Sequence, residues 1–180
     1  PKSKVNMIFT GEFEYSREEA YFLRCLGEVM SIQLIEILRE EKSGVYGVGA
    51  SGTGTKAPYP HYSFNISFPC GPENVDELSA AALGVLEDIK TNGVSEENLN
   101  KIKEAQKRDM ELNWKENGYW LGVLKSFHAN EEDQAYIQWL NDRVDQLKAG
   151  DLKRVANDYL NRSALITIQQ QPEESVMEDE

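Results

Sequence analysis

Between Ser16 and Gly44 the chain spells out one long helix with both of its ends, and this stretch constrains the fold more than any other. Ser16-Arg17-Glu18-Glu19 has the form of a capping box, a serine N-cap with a glutamate three places on to reach back to it. Phe22, Leu23, Leu26, Met30, Leu34, Ile37 and Leu38 then recur at helical spacing as a wide apolar stripe. Ser43-Gly44 supplies the stop, because glycine suits the left-handed position just past a helix. A stripe of that width has to be buried, so a broad apolar surface must lie against it.

A sheet supplies that surface. Lys4 to Phe13, rich in Val, Ile and Phe, reads as a first strand. Val45 to Gly54 and Tyr59 to Phe68 read as a hairpin joined through Thr55-Lys56-Ala57-Pro58. In its second arm Tyr62, Phe64, Ile66 and Phe68 alternate with His61, Ser63, Asn65 and Ser67, giving one buried and one wetter face. A helix comes next from about Glu73 to Lys90, with Val75, Leu78, Ala82, Leu86 and Ile89 facing inward. Ser95 then caps a largely exposed helix over Glu96 to Asn117, its Glu96 and Glu97 favouring the positive end of the dipole. Further helices are expected over Gly118 to Asn130, Asp133 to Leu147, and Asp151 to Leu160 with Asp151 as cap; Ala164 to Gln169 is a last strand. The order implies an α+β fold, a mostly antiparallel sheet with helices packed on one face. No repeat or linker divides it, so residues 1–171 read as one domain and 172–180 as an acidic flexible tail.

Hydrophobic residues at 40% and charged residues at 28% are a globular balance. The formal charge of −12 argues against a phosphate-backbone partner, which needs a positive footprint, so no nucleic acid is expected. No apolar run approaches the roughly 20 residues that span a bilayer. The chain begins with Pro1 and is read as a piece of something longer.

The chemistry-bearing motifs are mostly negative. Gly47-Val48-Gly49-Ala50-Ser51-Gly52 fits G-x-G-x-x-G, but a dinucleotide site needs strand, turn and then helix, whereas Pro58 and Pro60 come after it here. Glycines that let another backbone or a ligand approach a strand are the better reading. His61 and His128 have no histidine or cysteine at ligand spacing, and neither H-E-x-x-H nor H-x-x-E-H occurs, so no metal or cofactor is assigned to this chain. Cys25 reads as a small buried hydrophobe, Cys70 lies in a turn between a strand and a helix, and two cysteines make no disulfide framework. Tyr15, Tyr59, Tyr62, Trp114, Tyr119, Trp120, Tyr136 and Trp139 are aromatics without a basic frame, better explained by packing than by base stacking.

One pair remains. Arg39 ends the long helix, and Tyr46 opens the next strand seven residues later. A planar fork of donors and a neutral hydroxyl donor held at one cleft suit the recognition of carbonyls. A surface arginine favourable to the helix dipole and an ordinary strand tyrosine explain them equally well.

Leu38-Arg39 succeeded at this spacing by Gly44-Val45-Tyr46 resembles the C-terminal half of the M16 (pitrilysin-type) zinc peptidases, of the LuxS-like metallohydrolase fold. Tyr15-Ser16-Arg17-Glu18-Glu19, Gly93-Val94-Ser95-Glu96-Glu97-Asn98-Leu99 and Leu152 to Leu160 extend the likeness. The resemblance implies a parent metalloendopeptidase whose N-terminal domain carries zinc on H-x-x-E-H, with that domain and a peptide substrate as partners. It implies that Arg39 holds a main-chain carbonyl of the peptide and Tyr46 the carbonyl oxygen as it becomes an oxyanion, and that this piece alone is inactive. It favours a bacterial periplasm or cell envelope. The alternatives are a non-catalytic, structural or partner-binding M16-like domain and, further off, an unrelated α+β domain with a small ligand near Gly47 to Gly54.

Overall fold

The computed structural model describes residues 2–41, 45, 47–133 and 136–172. Strand β1 (Ser3–Glu12) leads into helix α1 (Arg17–Leu34). The hairpin β2 (Gly49–Thr55) and β3 (His61–Cys70) comes next, then α2 (Val75–Asn92), α3 (Glu96–Asn113), α4 (Asn117–Ala129), α5 (Tyr136–Gln146), α6 (Ala149–Tyr159) and β4 (Leu165–Gln170). The four strands form one sheet in the order β2-β3-β1-β4, with every neighbour antiparallel. This is the expected α+β architecture.

The alternation seen in the sequence sets the two faces of the sheet. Val5, Met7 and Phe9 of β1 and Phe64, Ile66 and Phe68 of β3 are fully buried or nearly so, on the face covered by helices. Leu23, Leu26, Met30 and Leu34 of α1, Leu78, Ala82, Leu86 and Ile89 of α2, and Leu152, Val155 and Ala156 of α6 belong to the same core. On the opposite face Lys4 and Thr10 are exposed, and Asn6, Ser63, Asn65 and Ser67 are half-buried. Ile8 and Ile166 lie opposite one another on that face, with Ile168 opposite Asn6.

Four details depart from the sequence-based expectation. Ser16 does cap α1, its hydroxyl accepting the Glu19 N–H at 3.0 Å, but the Glu19 carboxylate is held by Arg154 at 2.7 Å from α6. Asp151 is the third residue of α6 rather than its cap; its carboxylate accepts the Lys148 N–H at 2.9 Å. The first arm of the hairpin joins the β3 ladder only at Gly49, with Val45 making an isolated bridge to Cys70. Finally, the long helix does not run regularly to its end, since residues Ile35–Glu41 wind as a π-helix. Ser43, Gly44 and residues 173–180 of the expected tail lie outside the described residues.

Candidate functional site

The π-helical turn sets how Arg39 is presented. With bonds from i to i+5, each π turn takes in extra chain and rotates the side chains beyond it, and such turns are frequent at functional sites. Leu38 is fully buried and Ile37 packs against the core, whereas Arg39 is exposed. Among the described residues its guanidinium meets no carboxylate and no hydrogen-bond acceptor. Glu36, one turn earlier, faces Lys101 of α3 at 3.9 Å instead. The turn therefore anchors itself through apolar neighbours and leaves Arg39 exposed.

Beyond the turn the chain is fastened again at Val45, 8% exposed and bridged to Cys70 at the end of β3. From Val45 to Gly49 the chain takes four steps, while its partner takes three from Cys70 to Ser67. One residue more on one side than on the other is the count of a β-bulge, a device that re-aims side chains next to active sites. Tyr46 itself lies outside the described residues, and with it the geometry of the Arg39–Tyr46 pair.

From Gly49 on the glycine-rich segment is strand β2, which leads through the hairpin turn into β3 and not into a helix, so the dinucleotide reading is excluded. Its glycines serve contact with α1. A methyl at Gly52 would press into the Leu23 carbonyl, and one on Gly27 would come within 2.9 Å of the Ser51 Cα. Helix and strand thus touch backbone to backbone. Ser31 seals the contact: its hydroxyl accepts the Ala50 N–H at 2.8 Å, and its proton lies between the carbonyls of Gly27 (2.8 Å) and Ala50 (3.0 Å).

Metal and nucleophile candidates are scattered. His61 opens β3, its Nδ1 3.0 Å from the Tyr59 carbonyl, and His128 sits in the last turn of α4. Among the described residues no three His, Cys, Asp or Glu side chains come together as a metal site. Cys25 and Cys70 are both buried free thiols. Burial pushes the Cys25 thiol up to about 11 and that of Cys70 in the same direction, which keeps both in the inert protonated form.

A buried polar cluster was not foreseen. Gln106 of α3, only 8% exposed, accepts from the Tyr21 hydroxyl at 2.8 Å and donates to the Glu28 carboxylate and to the Cys25 sulfur (3.3 Å). Leu99, Ile102 and Gln106 succeed one another at i, i+3 and i+7, so the helical spacing already placed this amide on the buried stripe of an otherwise polar helix. No helix among the described residues is long and apolar enough to cross a membrane.

A four-stranded antiparallel sheet with helices on one face, a glycine strand pressed on a long helix, and an exposed arginine at the end of that helix define the class. The sequence profile of the Peptidase M16 inactive domain matches residues 1–106, more than half of the chain, and the chain belongs to that family. It is 33% identical over 101 residues to the Haemophilus influenzae protein named "Probable zinc protease PqqL", an alignment covering 56% of this chain and 11% of that protein. The crystal structure of the periplasmic protease PqqL from Escherichia coli superposes with a TM-score of 0.79 at 19% identity, covering 96% of this chain and 19% of that one. The inactive peptidase domain from Bordetella parapertussis superposes at 0.77 with 16% identity, covering 98% of this chain and 96% of that chain. At these identities the superpositions speak to the fold. The chain spans about a tenth of the length of the curated relatives it matches, 11% and 12%.

Proposed function

We propose that this domain is the substrate-gripping, non-zinc-binding part of a zinc metalloendopeptidase, completing a site whose metal is carried by an N-terminal domain of the same protein. Residues 1–171 form the gripping domain, and 172–180 form its acidic tail. Arg39 donates its fork to a main-chain carbonyl of the bound peptide and fixes the register of the chain across the cleft. Tyr46 donates its hydroxyl to the scissile carbonyl oxygen as negative charge develops there. These donors position the substrate and stabilise the oxyanion, and neither group cleaves anything alone.

The observation that carries this reading is the state of Arg39: a guanidinium exposed on a π-helical turn, engaged by no acidic group among the described residues, in a domain of the M16 inactive family. The kinship with proteins named zinc proteases supports peptide hydrolysis by the parent, and the name of the Escherichia coli structure supports a periplasmic setting.

The test is made in the intact parent. Tyr46→Phe removes one hydroxyl, and kcat is expected to fall about a hundredfold with little change in KM, the loss typical of one oxyanion donor. An unchanged kcat would refute the role. Mixing this chain with the zinc-bearing part is expected to restore cleavage that neither shows alone.

A further inference from the structure

Between α1 and α5 lies a cavity of about 300 Å³ whose charge runs against that of the chain. Among the described residues eight line it; three are arginines, Arg17, Arg24 and Arg143, and none is acidic, in a chain of 31 acidic and 19 basic residues. Four more are the rings of Tyr15, Tyr21, Tyr119 and Trp139. These aromatics lack a basic frame in the sequence because the frame is tertiary: positions 15 to 24 meet 119 to 143 only in the fold.

The guanidinium groups are placed, not merely near. Those of Arg24 and Arg143 each stand 5.3 Å from the centre of the Tyr21 ring, and that of Arg143 is also 5.7 Å from the Trp139 ring. Cation–ring attraction holds two like charges on one tyrosine. Burial pushes the Arg143 pKa down, and the like charge of Arg24 adds to it. Glu28 lies 3.4 Å from Arg24 but outside the cavity, and Arg17 is committed to Glu132 and Ser126. A second cavity of about 500 Å³ shares Tyr21, Trp139 and Arg143 and continues the groove toward α6, where Glu18 and Asp151 balance Lys148 and Arg154. The groove is thus anion-seeking at one end and neutral at the other.

We infer that this groove binds an acidic peptide segment, with a carboxylate between Arg24 and Arg143 and a neighbouring flat or apolar side chain against the rings. Arginine forks match carboxylate geometry, and the ring-lined walls favour a ligand carrying apolar surface beside its charge. A bare phosphate would use the cations and leave the aromatic walls without a role. The first cavity is at the small end of ligand sites and suits one or two side chains, while the second takes the next residues of the peptide. Fifteen residues of helix separate Arg24 from Arg39, roughly 20 Å at the rise of an α-helix, so the groove is a separate contact from the proposed oxyanion site. The inference holds whether or not Arg39 and Tyr46 act as proposed.

Calorimetric titration of this chain with the peptide Ac-Glu-Phe-Glu-NH2 tests it. Binding is expected, at least about tenfold tighter than for Ac-Gln-Phe-Gln-NH2, and weakened by added salt. Arg24→Gln and Arg143→Gln are each expected to cost at least about fivefold in affinity, a modest share of a charge-assisted contact. Lys4→Gln, on the open face of the sheet, makes the same charge change and is expected to cost nothing. Arg24 is half-exposed, so Arg24→Gln remains informative even where Arg143→Gln unfolds the domain. Equal affinity for the two peptides, absence of binding, or an Arg24→Gln variant that binds like the wild type would overturn the inference. Inorganic phosphate binding as tightly as the acidic peptide would overturn the peptide assignment in favour of a simple anion site.

Discussion

At the N-terminal end of α1, Arg17 is tied down on three sides: an ion pair with Glu132, a hydrogen bond to the Ser126 hydroxyl at 3.1 Å, and a seat 4.4 Å above the Phe127 ring. At the far end, Arg39 stands exposed in the π-helical turn with no partner among the described residues. The same side chain is a rivet at one end, fixing the start of α4's last turn and the loop after it onto α1. At the other end no acidic group among the described residues holds it.

The comparison presumes that α1 is firmly seated, so the largest effect is expected from unseating it. Gly52→Ala drives a methyl into the Leu23 carbonyl and is expected to cost about 3 kcal/mol, read as a lowered midpoint in urea with unchanged slope. Next comes the rivet. Arg17→Ala removes a half-buried ion pair and a cation–ring contact and is expected to cost about 1 to 2 kcal/mol of stability. Arg39→Ala should leave stability within about 0.5 kcal/mol, as for other surface changes, while kcat/KM of the intact parent drops about tenfold. Equal stability losses for the two arginine variants would erase the contrast.

An effect seen only at alkaline pH concerns the middle of the helix. The Cys25 thiol holds its proton to about 11 in the folded chain against an ordinary 9.0. Between those values the unfolded chain releases the proton and the folded chain keeps it, so this group takes stability away as pH rises through the window. Cys25→Ala is expected to flatten the decline by up to about 1.4 kcal/mol per pH unit, measured by urea unfolding at two alkaline pH values. The native thiol should also resist alkylation at neutral pH while the unfolded one reacts.

Much of this was legible in the sequence because it is written locally. The stripe from Leu23 to Leu38, the alternation from Tyr62 to Phe68, the inward set of α2 and the Ser16 and Ser95 caps all depend on spacing within one element, and each is found as read. The features that were missed depend on partners far along the chain. Glu19 has a local role available and takes a distant one, because Arg154 offers a full charge where the N-cap offers only an amide. The π turn leaves no trace in the helical spacing, which runs on unbroken through Leu34, Ile37 and Leu38. The groove between α1 and α5 draws on residues more than a hundred positions apart, which no periodicity can reveal. For Arg39 the sequence offered a cleft ligand and a surface arginine alike, and the structure adds that the side chain is exposed.

The Ser31 hydroxyl has a consequence for how copies of this domain meet. β2 is an outer strand, and a stray strand from another chain would pair first with its outward-facing amides and carbonyls. At Ala50 both of those groups already belong to Ser31. One side chain from the helix therefore stands in for a missing neighbour and guards that rim of the sheet against unwanted company, while at the opposite rim the exposed Ile166 and Ile168 leave β4 the stickier border.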